Sequence, residues 1–344
     1  MFTFAASGSQ SRTGQWLIVA EIPVERARPT RVRPRDRSTP SDRVFAGLTR
    51  GAGIVVLVIL TLIAVFLVDQ AGPALSASGW SFFTTVDFKT NLRPPVLGVL
   101  GLLIGTVTVA LIAVAVAIPT SVLTALFITD VATGRIRAMM MGLVDLLAAL
   151  PSLLYGLWGF AFLSPLLPPL SQWVSDHLGF VPFLRVDQGA PLISSYAIAG
   201  LVVSLMTLPI ITSIVREVFM QVPPGEKEAA LALGSTRWGM LRTVVLPFGR
   251  GGIIGGSMLG LGRALGETIA VSLLLPQIPS ATVHILQYGG STIAGFIANN
   301  TGVSGLALSG LLAAGLVLFV FTLATNFIAS IIISRSRSGA GVDA

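Results

Sequence analysis

Two residues of opposite charge, Arg263 and Glu267, lie inside a long apolar run of the chain. Because they are four positions apart, they would share one face of a helix and could pair. About 15 residues, or roughly 22 Å of helix, separate Arg263 from Phe248 at the start of the run, which places the guanidinium well inside a bilayer. There it would offer a forked, permanently charged donor to an oxyanion, with Glu267 holding it in place until the anion passes. The alternative is an ion pair that only stabilises helix packing.

A third charged residue, Asp145, lies inside an earlier apolar run. It would either balance an arginine of a neighbouring helix or lie near the membrane surface, and the second interpretation is favoured. We predict that Arg263, Glu267 and Asp145 belong to the substrate pathway. His177 and His284 are isolated, with no second ligand at metal spacing, so no metal site is predicted.

Binding and conduction are expected of this chain, not catalysis. Neither of its two lysines, Lys89 and Lys227, stands in the Gly-x-x-x-x-Gly-Lys context that cradles ATP phosphates. The sequence offers no paired nucleophile and general base either. The chain is therefore predicted not to be an enzyme and to bind no cofactor of its own.

The composition requires a lipid environment for these residues. Of the 344 residues, 53% are hydrophobic and 11% charged, with a mean hydropathy of +0.86, whereas soluble domains are roughly 25% charged. Runs long enough to cross a bilayer as helices recur along the chain. They fall at about 51–68, 96–128, 138–163, 194–219, 248–275 and 304–333. The sequence thus predicts an all-α membrane protein with six transmembrane helices.

Basic residues are distributed unevenly between the two sides of these spans. The outer segments carry only Lys89, Arg93 and Arg185, whereas the inner segments carry the N-terminal arginines together with Arg135, Arg137, Arg216, Lys227, Arg237, Arg242, Arg250, Arg335 and Arg337. By the positive-inside rule, both termini are expected in the cytoplasm of a multi-pass inner-membrane protein.

The predicted organisation has four parts. Residues 1–42, rich in arginine and proline, form a disordered cytoplasmic arm, and residues 43–94 hold the first span and an outer loop. Residues 95–335 form the core with five spans and a cytoplasmic loop at 221–247, and residues 336–344 form a tail. An arm that binds nucleic acid or anionic lipid is a minor alternative, and no nucleic-acid partner is expected.

Prolines and glycines inside the spans predict irregular helices and close packing. Pro119, Pro151 and Pro209 lie in the second, third and fourth runs, where each would break or kink its helix. In the fifth run, the pairs Gly252 with Gly256 and Gly262 with Gly266 have the spacing that lets helix backbones approach closely.

The loop between the fourth and fifth spans carries the most specific motif. Glu228, Ala229 and Ala230 are followed by Gly234, and then by Val244-Val245-Leu246-Pro247. This pattern predicts a short helix that ends at Gly234, a turn, and a second helical stretch that enters the membrane at Pro247. The purely structural interpretation is an interfacial helix that links two spans.

This motif resembles the EAA loop of ABC importer permeases. The resemblance implies that the loop is a coupling helix that docks into a cytoplasmic ATPase, with the contact residues Glu228, Ala229, Ala230, Gly234 and Arg237. The segment Gly260–Val271 and the segment Pro151–Gly159 are similar to the fifth and third helices of phosphate permeases of the PstC type.

The resemblance implies a type I importer fold of the MetI-like architecture and a role in phosphate import. The implied partners are a second permease of the PstA type, two ATPase subunits of the PstB type that bind ATP and Mg²⁺, and an extracytoplasmic phosphate-binding protein of the PstS type. Two alternatives stay open. One is a permease for another oxyanion, such as sulfate or molybdate, and the other is an ion-coupled carrier that uses Glu267 and Asp145 as proton sites.

Overall fold

The computed structural model describes residues 40–89, 92, 94–187, 189–279 and 284–336. Its α-helices are α1 Pro40–Ser78, α2 Ser81–Thr84, α3 Leu100–Leu126, α4 Gly134–Ala149, α5 Ser152–Trp158, α6 Ser164–Leu166, α7 Pro168–Leu178, α8 Tyr196–Met220, α9 Pro224–Ala232, α10 Arg237–Met240, α11 Leu246–Phe248, α12 Arg250–Gly266, α13 Ile269–Leu274, α14 Ile293–Asn299 and α15 Leu306–Ser336. Wider π-helical turns occupy Phe127–Val131, Gly159–Leu163 and Leu241–Val245, and a 3₁₀ turn occupies Pro182–Leu184.

The chain divides into two compact units, residues 1–57 and 58–344, and of the first unit the structure describes only the start of α1. The predicted arm of residues 1–42 lies outside the described residues, except for the three at its end that begin α1. Most of the predicted tail, residues 337–344, also lies outside them.

The described part of the chain contains two kinds of candidate span, single helices and bent helix pairs. Four segments are long and apolar enough to cross a membrane as single helices, namely 41–78, 100–131, 196–220 and 306–332. The third and fifth predicted spans are instead bent pairs: α4 meets α5–α6 at 93°, and the segment 237–248 meets α12 at 66°. Six spans result when each bent pair is counted as one.

The three proline positions differ in their effect. Pro151 stands at the 93° bend, with an extended backbone directly before α5. Pro119 and Pro209 lie inside α3 and α8, which continue past them, so neither proline ends its helix. Next to Pro119, the Thr120 hydroxyl donates to the Val116 carbonyl at 2.6 Å, a side-chain bond to the preceding turn of the kind that often accompanies a bend in a helix.

A hydroxyl from the last span is inserted into the first helix at Pro73. Ser309 Oγ in α15 donates to the Gln70 carbonyl at 2.7 Å and accepts from the Ala74 amide at 3.0 Å. In an ordinary helix the Ala74 amide would donate to the Gln70 carbonyl. Ser309 therefore links these two backbone groups directly after Pro73, where the proline ring disturbs the helical hydrogen bonds. The helix continues to Ser78 instead of ending near the predicted limit at residue 68.

Helices α3, α8 and α12 pack against each other at the centre of the larger unit. Gly252 and Gly260 of α12 lie directly against α8: an added Cβ would come within 2.5 Å of Val218 and 2.6 Å of Ile211. Gly256 faces the same helix at ordinary contact distance. The predicted close packing therefore holds for Gly252 and Gly256, whereas a Cβ on Gly266 would meet open space.

The loops that precede α8 and α14 pack together over the ends of α3 and α8. The Ile285 amide donates to the Phe183 carbonyl at 3.0 Å, and the Ile293 amide donates to Thr106 Oγ1 of α3 at 3.0 Å. Tyr196 at the start of α8 is fully buried beneath this contact. The stretch before Ile293 is thus fixed to the helical core.

Gly105→Ala is expected to destabilise the protein by about 2 kcal/mol, because the new methyl would overlap the Ser291 carbonyl oxygen, a backbone atom that has little freedom to move. Denaturant unfolding in detergent micelles would measure the loss. Gly142→Ala in α4 is the matched control, since nothing lies within 4 Å of its added Cβ, and it is expected to keep or slightly raise stability. Equal stabilities for the two variants would show that the outer loop is not fixed against α3.

Candidate functional site

Arg263 lies in the last turn of α12 on an exposed face, and it is the one charged residue of this helix after Arg250 at its start. It makes no ion pair and no hydrogen bond with any described residue. It borders an open pocket of about 410 Å³ between α8, α12 and α15. The pocket is lined by Ile210, Met258, Leu259, Gly262, Arg263 and Asn326. An exposed charge at this depth implies that water, substrate or another subunit covers this face. An unpaired guanidinium that faced lipid hydrocarbon would cost several kcal/mol.

Glu267 does not share a helical face with Arg263. Helix α12 ends at Gly266, and Glu267 has an extended backbone with φ −66° and ψ 123°. Its carboxylate instead accepts a hydrogen bond from the Ala270 amide at 3.3 Å, in the first turn of α13. The predicted pairing is therefore wrong: the helical spacing on which it relied ends before Glu267. The carboxylate is only 9% exposed and turns inward, while the guanidinium stays open.

Asp145 lies opposite an arginine of a neighbouring helix. Its Oδ1 is 3.8 Å from Arg216 Nη1 in α8, and the Asp145 side chain is 63% exposed while that of Arg216 is 14% exposed. This is the charge-balancing interpretation, which the sequence alone does not favour. The structure does not bring Asp145 into the pocket that Arg263 borders.

The motif between the fourth and fifth spans forms the helix, turn and helix that its sequence predicts. Helix α9 ends in a left-handed residue, Gly234, at φ 87°. The Gly234 amide donates to the Leu231 carbonyl at 3.0 Å, and the Ser235 amide donates to the Ala230 carbonyl at 3.2 Å. These two bonds are the Schellman arrangement that satisfies the last carbonyls of a helix. Thr236 then begins α10 by accepting from the Gly239 amide at 3.1 Å.

Gly234→Ala is expected to destabilise the loop by about 1 kcal/mol, because an L side chain is strained at positive φ even though no atom lies within 4 Å of its Cβ. The free energy of unfolding would measure it. Gly225→Ala is the control within α9, where the φ is ordinary and alanine favours the helix. A stabilising effect of Gly234→Ala would contradict the role of this turn.

Four of the five predicted contact residues face outward, whereas Ala230 is half-buried and packs against the hydrophobic cluster of α3 and α8. Glu228, Ala229 and Arg237 are exposed, and so are two large apolar side chains, Leu233 at 89% and Trp238 at 59%. Exposed leucine and tryptophan beside charged groups are typical of a surface that another protein covers. Together with Gly234, this surface spans the end of α9 and the start of α10.

A buried ion pair fastens this loop to the second span. Lys227 Nζ in α9 lies 2.5 Å from Asp130 Oδ1, in the π-helical turn that follows α3. The two side chains are 21% and 8% exposed, and the Thr129 hydroxyl donates to the other Asp130 oxygen at 2.6 Å. The pair joins two segments that the predicted six-span topology puts on the same side of the membrane.

Sequence reasoning missed three of these residues. Asp130 and Lys227 are separated by 97 positions, so no spacing rule connects them, although Lys227 is one of only two lysines. Asn326 was also missed. It is the one carboxamide between residues 304 and 333, and a lone polar residue in an apolar span was the signal available.

Comparison with known families identifies one matching model. Residues 117–338 match the family described as binding-protein-dependent transport system inner membrane component. The matched region contains the last ten residues of α3, both bent pairs, the loop with α9 and α10, and α15.

Curated relatives match almost the whole chain. It is 39% identical over 303 residues to the phosphate transport system permease protein PstC 2 of Mycobacterium tuberculosis, covering 87% of this chain and 93% of the relative. It is 38% identical over 314 residues to PstC of Xylella fastidiosa, covering 88% and 96%. It is 34% identical over 318 residues to PstC of Haemophilus influenzae, covering 91% and 99%.

Solved structures share the fold. A bacterial ABC transporter involved in the import of alginate aligns with a TM-score of 0.52 at 17% identity, covering 85% of this chain and 99% of that one. The alginate transporter in complex with its pentasaccharide-bound periplasmic protein gives a TM-score of 0.53, also at 17% identity, over 86% and 99%. At this identity the likeness concerns the fold alone, and it confirms the predicted architecture of an ABC importer permease.

Proposed function

This chain belongs to the binding-protein-dependent transport family of inner membrane components, and within it to the PstC phosphate transport permeases, and we propose that it conducts phosphate across the inner membrane in an ATP-driven importer. The resemblance read from the sequence is confirmed. The chain is a membrane permease subunit, not an enzyme, and phosphate is the cargo supported by the names of its relatives.

The observation that carries this proposal is the open guanidinium of Arg263. A permanent positive charge beside a largely apolar pocket attracts an anion, and its fork matches two oxygens of a tetrahedral oxyanion. Because Arg263 makes no ion pair with Glu267 or with any other described residue, its guanidinium is available to the cargo. The buried carboxylate of Glu267 supports the helix junction at Gly266 instead.

The ATP-driven part of the cycle belongs to partner subunits. The exposed surface formed by Glu228, Ala229, Gly234, Arg237 and its apolar neighbours would be the contact with a cytoplasmic ATPase of the PstB type, which holds ATP and Mg²⁺. A PstA-type permease would complete the pathway, and a PstS-type protein would deliver phosphate from outside. With this loop in the cytoplasm, an even number of spans puts both termini there as well.

Uptake by the purified complex tests the proposal. The chain, its partner permease, the ATPase and the binding protein are reconstituted in liposomes, and uptake of labelled phosphate is compared with that of sulfate and molybdate. ATP-dependent uptake of phosphate alone is expected. Uptake of sulfate or molybdate in its place would assign another oxyanion, and uptake driven by a proton gradient without ATP would assign the ion-coupled carrier.

A further inference from the structure

We propose that Asn326 of α15 is a second contact of the transported oxyanion, beside Arg263. This inference rests on the proposed function and adds a residue to the pathway. Asn326 and Arg263 are the polar side chains on the wall of one pocket, whose other side chains are those of Ile210, Met258 and Leu259. A few polar groups placed in an apolar lining are the usual pattern of a small-ligand site.

The position of Asn326 in its helix requires a polar neighbour. It lies in the span 306–332, whose mean hydropathy reaches 2.4. The side chain is exposed, and its carboxamide makes no hydrogen bond with any described residue. A carboxamide that faces hydrocarbon without partners costs several kcal/mol, so this face of α15 is expected to border water and solutes.

Gly262 opens the space that brings Asn326 to the pocket. An added Cβ on Gly262 would lie 3.7 Å from Asn326 Oδ1, so a larger residue there would fill the gap between α12 and α15. Arg263 follows directly on the same turn. The pocket, about 410 Å³, has room for an oxyanion together with several waters, each of which takes about 30 Å³.

The two side chains supply complementary chemistry. The guanidinium carries the charge and donates to two oxygens, and the Asn326 amide donates an N–H to a third oxygen. The Asn326 carbonyl accepts from the P–OH group that phosphate keeps at neutral pH. A neutral partner adds a contact without adding charge, so the anion is oriented but not trapped, which a conducting site requires.

The absence of cysteine from the chain allows a direct test of location. In the reconstituted complex, Asn326→Cys is treated with a negatively charged thiosulfonate reagent, and the modification of this chain is followed. We expect phosphate to slow the labelling of the introduced thiol in the Asn326→Cys variant severalfold. Phe327→Cys, an adjacent exposed position about 100° further round the helix, is the control and is expected to show no phosphate effect. An unreactive thiol at 326, or one that phosphate does not protect, would overturn the inference.

Uptake by substituted complexes tests the contact itself. Asn326→Leu is expected to lower maximal phosphate uptake per assembled complex about tenfold, the size expected for a lost hydrogen bond to an anion. Asn326→Asp is expected to lower it further, since a carboxylate beside Arg263 repels the cargo. Thr325→Val is the control, because the Thr325 hydroxyl donates to the Thr322 carbonyl within the helix at 2.9 Å. If the unmodified complex imports phosphate and the Asn326→Leu complex imports it equally well, only this inference is overturned. An unmodified complex that imports no phosphate would overturn the proposed function as well.

Discussion

Arg263→Ala is expected to lower phosphate uptake on the order of 100-fold while the transporter still assembles. A hydrogen bond to a charged group contributes about 1.5–3 kcal/mol, and the guanidinium fork offers at least two of them to the anion. Assembly should survive because the side chain is exposed and pairs with no described residue. Uptake of labelled phosphate in liposomes, per copy of ATPase retained, is the measurement.

Two matched variants separate charge from geometry. Arg250→Ala removes an exposed arginine from the first residue of the same helix, away from the pocket, and should leave uptake near normal. Arg263→Lys keeps the charge but loses the planar fork, so intermediate uptake is expected. Undiminished uptake in Arg263→Ala would make this arginine structural and remove the main support for the pathway.

Lys227→Met is expected to destabilise the protein on the order of 3 kcal/mol and to weaken the link between ATP hydrolysis and uptake. The substitution leaves Asp130, only 8% exposed, with the Thr129 hydroxyl as its remaining partner, and a buried charge that loses its counterion is costly. The loop that carries the exposed motif also loses its tie to the second span. Denaturant unfolding and the ratio of phosphate imported to ATP hydrolysed would measure the two effects.

The chain provides its own control for this pair. Its other lysine, Lys89, lies 2.9 Å from Asp87, but both side chains are more than half exposed at 55% and 53%. Lys89→Met should therefore cost less than about 1 kcal/mol. Adding Asp130→Asn to Lys227→Met should recover part of the lost stability, because no charge then remains buried. If the double variant is as unstable as the single one, the cost lies in lost packing of the lysine stem and not in the pair.

Features that depend on nearby residues could be predicted from the sequence. The glycine at 234 ends α9 because only local backbone geometry decides that turn, and the bend at Pro151 follows from the proline itself. The number and place of the spans follow from hydropathy in the same way. None of these inferences needs knowledge of which helices are neighbours.

Features that depend on distant residues could not be predicted. Arg263 and Glu267 have helical spacing, but the helix between them ends at Gly266, where the chain turns to pack α13 against α5. Asp145 was placed near the surface because nothing in the sequence indicates that Arg216 of α8 lies opposite. The partner of Lys227 likewise depends on how the end of α3 and the loop that holds α9 meet.

The hydroxyl of Ser309 has a consequence for how the chain is made. The residue that bridges Gln70 and Ala74 is encoded 235 positions after Ala74, and at roughly 5–20 residues per second the ribosome needs tens of seconds to reach it. A first helix that enters the bilayer during synthesis would spend that interval with Pro73 unbridged. The translocation machinery or the lipid must therefore keep an unfinished helix in place until the last span is synthesised, and mutations at Ser309 should act first on biogenesis.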